Sequence, residues 1–403
     1  MKYRGLFLAD LHIGDMPKAQ LEHEVQTVLY PYLEEHDLDF VIFGGDYFGH
    51  RLFLNDENSI FAMQVIKEID RRLKPDAKIR MIYGTKSHDE DQYESLSVSD
   101  DRDYKVIYHV SEEELFPDLH VLYLPEELLF DADEYYQDIF QKKDAYDLIC
   151  GHGIIQEAMK QAALAIEEKK HVSRKVPVFR SGVLESLCTG PVVFGHYHIH
   201  KEIGRNVSYV GSFSRWKFGE EEPKGFLSLT YNTKKNRPKR WDIEFIENGL
   251  APSFTTVGFG YHDTVFRSVE EMQKKMDHFD HLVKTDQFDH LRLEFNIPED
   301  CENPEYYIEF LKERFKDNPD IKVNITNGYI EKRTEEDKKS IADDYAKYAP
   351  LFDPNRELED QVSFYIDVEY HKKISPQLAS LYLYHSLTDI LHTEISDEDR
   401  TEE

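Results

Sequence analysis

Five short stretches carry imidazoles or carboxylates, four of them beside glycine or serine: Asp10-Leu11-His12, Gly45-Asp46, Ser87-His88-Asp89, Gly151-His152 and Gly195-His196-Tyr197-His198. Carboxylate oxygen with neutral imidazole nitrogen, and no thiolate, is a donor set for manganese, iron or zinc rather than for a structural cysteine cage. Side chains on an extended segment repeat every two residues, so Asp10 with His12, and His196 with His198, each set two donors on one side. Such a pair can serve one ion or two adjacent ones. Glycine beside the donors permits close backbone approach. Any one of these stretches is common; five in order, each after an apolar run, read as parts of one site.

The elements that must position them follow from the apolar runs. "YRGLFLAD", "DFVIFGGD", "KIRMIYG", "LHVLYLP", "YDLICGHG" and "PVVFGHYHIH" read as buried strands, with helical periodicity over 18–37 and 57–73. Near-continuous apolar strands alternating with helices predict an α/β sheet covered on both faces. In such sheets ligands bind at the carboxyl ends of strands, where the five stretches lie. Residues 202–248 read as strand throughout. Beyond "NGLAPS" a β-α-β-α-β pattern, with helices near 268–285 and 303–317, predicts a smaller domain. The expected organisation is 1–250, 251–329, and a helical region 330–403 with helices near 358–371 and 375–394 and a disordered acidic end.

The net charge of −30 argues against a simple nucleic-acid binder coated in lysine, and it is compatible with carboxylate-rich metal sites and a basic partner. Cys150, Cys188 and Cys301 are far apart and form no CxxC pattern, which fits a reducing compartment. The chain enters a strand-like run within three residues, and no apolar stretch approaches the ~20 residues of a membrane helix. The expectation is a soluble, cytoplasmic protein with no membrane partner.

The order DxH, GGD, a GNHD/E-like loop, GH and GHxH resembles the calcineurin-like metallophosphoesterases. "YVGSFSRWKFGEEEPKGFLSLTY", residues 209–231, resembles the segment after GHxH in the SbcD-type DNA double-strand-break repair nucleases. The resemblance covers nearly the whole chain. It implies a four-layer αββα sandwich, a small α/β capping domain that contacts DNA and a C-terminal helical tail. It also implies two divalent ions, with manganese the best fit, DNA as substrate, an SbcC-type coiled-coil ATPase as partner, and a homodimer. Asp10, His12 and His198 would hold the first ion, His152 and His196 the second, and Asp46 would bridge both. His88 would be the general acid toward the departing 3′ oxygen. His50 resembles a substrate-handling histidine, one residue late.

The chain departs from the pattern at Gly84-Thr85-Lys86-Ser87-His88-Asp89, where the family reads GNH. If His88-Asp89 keep their place, Ser87 replaces the metal-binding asparagine and the loop gains two residues. Asp89 or a water could then complete the second site. Lys170, Arg174 and Arg215 are the basic residues expected at DNA. The apolar stripe Leu378, Leu381, Leu383, Tyr384, Leu387 and Leu391 is the surface on which the resemblance docks the ATPase. Two other functions remain open on the sequence alone: a phosphoesterase for nucleotides or other small esters, and a catalytically silent scaffold for the ATPase.

Overall fold

The computed structural model describes residues 1–53, 55–158, 176–237, 239–258, 289–297, 304–316 and 320–327. The chain is a mixed α/β protein. Four apolar runs form β1 (Lys2–Leu8), β2 (Phe40–Phe43), β3 (Lys78–Ile82) and β4 (Asp103–Ile107). A meander then gives β5 (Ser111–Phe116) and β6 (Leu119–Leu124), followed by β7 (Leu148–His152). The short β8 (Ile154–Ile155) and β9 (Val178–Phe179) pair with each other. There follow β10 (Val192–Gly195), β11 (Lys201–Glu202), β12 (Val207–Tyr209), β13 (Gly225–Asn232) and β14 (Trp241–Glu247).

These strands build two six-stranded sheets, ordered β14-β13-β1-β2-β3-β4 and β11-β12-β10-β7-β6-β5. The central pairings β1–β2–β3–β4 and β6–β7–β10–β12 are parallel; antiparallel strands close three edges, and β4 is a parallel edge. Period-two alternation decides the layers. On β2, Phe40 and Ile42 join one hydrophobic cluster while Val41 and Phe43 join another. The first cluster also holds Val121, Tyr123, Leu148 and Cys150, so it lies between the sheets. The second packs the first sheet against helices α1 (Lys18–Glu24), α2 (Tyr30–Glu35) and α3 (Glu57–Arg72). A third covers the outer face of the second sheet with Tyr136, Leu184 and Leu187.

The helix expected over 18–37 is interrupted by a π-turn at Val25–Leu29. The Tyr30 N–H reaches back to the Val25 carbonyl. Pro31, without an N–H, cannot continue the α register, and the turn absorbs the misfit. α3 starts where Asp56 accepts from the Asn58 N–H, at 2.7 Å.

After β14 come β15 (Phe254–Gly258), β16 (His290–Ile297) and β17 (Ile321–Asn327), which form a three-stranded sheet. A helix spans Pro304–Phe315. The chain divides into two compact units, Met1–Asn296 with Glu305–Thr326, and Ile297–Pro304 with Asn327–Glu403. The expected helix at 268–285, the tail helices and the apolar stripe lie outside the described residues. Among the described residues no helix is long and apolar enough to cross a membrane.

One charged contact ties the two sheets. Arg80 on β3, fully buried, meets Glu113 on β5 through two parallel bonds of 2.7 and 2.8 Å. Its third nitrogen donates to the Ile79 and Asp103 carbonyls, both at 2.9 Å. Removing one partner of such a pair leaves a buried charge without compensation. Arg80→Met is expected to cost about 3–5 kcal/mol in chemical denaturation, and Arg80→Met with Glu113→Leu to recover most of it.

Candidate metal centre

The carboxyl ends of parallel strands from both sheets supply the site. β1 runs into Asp10 and His12, β2 into Gly44-Gly45-Asp46, and β3 into Gly84-Thr85. In the second sheet β6 runs into Pro125-Glu126, β7 ends at His152, and β10 leads to His196 and His198. Side chains from these ends form overlapping groups able to hold a metal ion: Asp10, His12 and His198; Asp10, Asp46 and His152; His12, Asp46 and His88; Glu126, His152 and His196.

The local backbone is bent to make this possible. Asp10, His12, Asp46 and His196 all have positive φ, between 47° and 100°. This region is costly for non-glycine residues and is found where surroundings over-determine it. Gly45 and Gly84 must be glycine: a Cβ on Gly45 would overlap the His152 ring, and one on Gly84 would overlap Asp46.

Asp46 lies at the centre. Its Oδ1 accepts from the Thr85 N–H at 2.6 Å and lies 3.3 Å from His152 Nε2. Its Oδ2 is 2.9 Å from His88 Nδ1 and 3.5 Å from His12 Nε2. Asp10 accepts the His196 N–H through both oxygens, at 3.0 and 3.2 Å. The imidazoles are turned inward by partners behind them. Asp15 takes the Nδ1 proton of His12 (3.1 Å), and the Gly44 carbonyl takes that of His152 (2.7 Å). Glu220 takes that of His198 (2.5 Å). These bonds fix the tautomers and leave each Nε2 as the donor atom. His12 Nε2 and His196 Nδ1 are buried without hydrogen-bond partners.

The electrostatics fit the same use. Burial pushes the Asp10 carboxyl up to about 8. Burial would also raise Asp46, but the charge and hydrogen bond of His152 and the hydrogen bond from His88 hold it well below the usual range. Burial lowers His12 and takes His198 down to about 4. Both imidazoles are thus neutral at neutral pH, the form that binds metal. A divalent cation would offset the carboxylates gathered here. The donor set and the inward-turned, unpartnered nitrogens fit such an ion.

Not every expected residue converges. Asp10, His12, Asp46, His88, His152, His196 and His198 do. Ser87 is exposed, and the residue facing the cluster is Thr85, whose Oγ1 lies 3.2 Å from Asp46 Oδ2. A short helical turn, Lys86–Asp89, follows Thr85 directly and brings His88 round to Asp46, so the loop needs no donor from Ser87. Asp89 fills no gap at the metal site. It is buried and accepts the N–H groups of Gly84, Asp46 and Phe48 and the Tyr93 hydroxyl. It thereby clamps the β2 and β3 loops together. His50 stands outside the cluster, half exposed, with Nδ1 3.0 Å from Asp15. Its link to the site runs through Asp15 to His12.

Arg215, expected at DNA, is buried instead. Its nitrogens donate to the carbonyls of Glu220, Glu222 and Pro252, which pins the 220–222 loop. Lys170 and Arg174 lie outside the described residues. The "FGEEEPKGF" stretch gains a role from this loop. Buried Lys224 donates to the His198 carbonyl (2.5 Å) and to Glu220 (3.2 Å), locking the carboxylate that orients His198. Trp216 lies against the His12 and His198 rings, with centroids at 4.6 and 4.7 Å.

Glu126 escaped the sequence reading. Its signal was available, as it lies two residues past the apolar run "LHVLYL". Pro125 made the run look like a plain strand exit.

Compared with protein-family models and with curated proteins, the chain matches none.

Asp46→Ala is expected to abolish metal binding in elemental analysis, Ser87→Ala to leave it unchanged, and Thr85→Val to weaken one ion about tenfold. Glu220→Gln, which keeps shape and loses charge, should weaken the ion at His198 by about 10–100-fold in a manganese titration.

Proposed function

We propose that the chain is a manganese-dependent DNA nuclease subunit of the SbcD type, with the four-layer core of the calcineurin-like metallophosphoesterases over residues 1–250. The observation that carries this reading is the convergence of donors from both sheets on Asp46, with His88 on the open side of the same carboxylate. Asp10, His12 and His198 would hold one ion and His152 and His196 another, with Asp46 between. When bound, two such ions supply a water-derived nucleophile at neutral pH and a charge clamp on the phosphate.

His88 has the position of a proton donor. Its Nδ1 is spent on Asp46, so Nε2 is left for a substrate oxygen. The hydrogen bond to Asp46 raises its pKa and favours the protonated form that a general acid needs. His88 lines a pocket of about 450 Å³ with Tyr197, Trp216, Lys217 and Phe218. Aromatic rings and an exposed ammonium around a metal site suit a nucleotide chain, whose bases stack and whose phosphates are anionic. Phe218 also meets Phe254 of β15, and Arg292 of β16 lies 4.3 Å over its ring. These contacts support a capping role for the three-stranded sheet. The SbcC-type ATPase, its docking on 330–403 and the homodimer rest on the resemblance.

His88→Gln tests the reading. Manganese-dependent cleavage of linear single- and double-stranded DNA should fall by about 10²–10⁴-fold while bound manganese and folding persist. Loss of metal in this variant would make His88 a ligand. Wild-type turnover of small phosphodiesters with no cleavage of DNA would favour the small-ester enzyme, and no turnover of either would favour the scaffold.

A further inference from the structure

We propose that Glu126 is a direct ligand of the second ion, supplying a carboxylate from β6 where the β3 loop offers only Thr85. This rests on the binuclear reading above and adds a donor to it.

Glu126 is 4% exposed, yet among the described residues it pairs with no lysine or arginine. Its neighbour Glu127 shows what a structural carboxylate looks like here: it accepts from His109, from the Val110 N–H and from the Tyr135 hydroxyl, at 2.8–3.1 Å. Glu126 has no such set. Its Oε2 faces His196 Nδ1 at 3.0 Å, Thr85 Oγ1 at 3.5 Å and His152 Nε2 at 3.8 Å. The His196 nitrogen, although near, makes no aligned hydrogen bond with it. Two donors side by side, and not pointed at each other, is the arrangement of atoms that share an ion.

His152 strengthens the case. Its Nδ1 proton goes to the Gly44 carbonyl, and its Nε2 faces Asp46 Oδ1 at 3.3 Å and Glu126 Oε2 at 3.8 Å. Without metal the proton that these carboxylates hold on His152 fills this place; a divalent ion would replace that proton and take Nε2, Asp46 and Glu126 as donors together. The backbone is built to hold the carboxylate there: the Glu126 N–H is bonded to the Tyr83 carbonyl at 3.1 Å, which ties the end of β6 to the end of β3. No lysine or arginine among the described residues stands against this carboxylate, so its charge is directed into the imidazole cluster where an ion would sit. The second site then carries one more negative charge than a set of imidazoles with a shared Asp46 would.

The test uses the full chain, stripped with chelator and titrated with manganese, with bound ions followed by paramagnetic resonance and elemental analysis. Wild type is expected to take up two ions. Glu126→Gln, nearly isosteric, should keep one at wild-type affinity and bind the other on the order of 100-fold more weakly. Without metal, Glu126→Gln should melt at the wild-type temperature, because no lysine or arginine among the described residues depends on its charge. Two ions bound at wild-type affinity by Glu126→Gln would overturn the inference and leave the binuclear reading standing. A lower melting temperature of the metal-free variant with unchanged uptake would make Glu126 structural. Failure of the wild type to bind a second ion would overturn both.

Discussion

The carboxylate of Asp46 is the interaction on which the rest of the structure depends. Besides Arg80–Glu113, it is a point where the two sheets meet chemically: it sits after β2 of one sheet and touches His152 of the other. Its side chain also holds the β3 loop through Thr85 and the rim through His88. Its own backbone is gripped from both sides, with its N–H on Asp89 at 3.0 Å and its carbonyl taking the His12 N–H at 3.1 Å. In the metal-free fold His152 and His88 keep this buried carboxylate charged. Its surroundings make sense if they exist to present it to cations.

Around that hub the chain uses a consistent device. A ligand imidazole is aimed by a partner behind it, whether Asp15, the Gly44 carbonyl or Glu220, and that partner is secured in turn. Lys224 and Arg215 belong to this outer layer. They are basic residues, but their charge is spent on Glu220 and on backbone carbonyls of the 220–222 loop, which supports His198. The positive φ values at Asp10, His12, Asp46 and His196 are the backbone cost of the same geometry, and dense hydrogen bonding at the strand ends offsets it.

This arrangement does not need Ser87. The β3 loop gives up a side-chain donor at Ser87, and the adjacent helical turn still delivers His88. Beside that loop, β6 places Glu126 among His152 and His196. The acidic character of the whole chain matters less here than the local balance, in which three carboxylates and five imidazoles share one small volume.

The sequence by itself determined the α/β class, the strands that end at the site and seven of the residues that converge there, because apolar runs and the two-residue period are local properties. It also marked "FGEEEPKGF" as notable without revealing why. Which basic residues were buried was beyond it, since Arg215 reads like any surface cation until its carbonyl partners, some of them more than thirty residues away, are in place. It misplaced the loop donor, because alignment by His88 moves attention to Ser87, whereas the helical turn gives the place to Thr85. It passed over Glu126, because a glutamate after Pro125 has no meaning until β6 lies beside β7. Only tertiary structure could decide these points: they depend on contacts between strand ends from two sheets, and no spacing along the chain encodes which ends will meet.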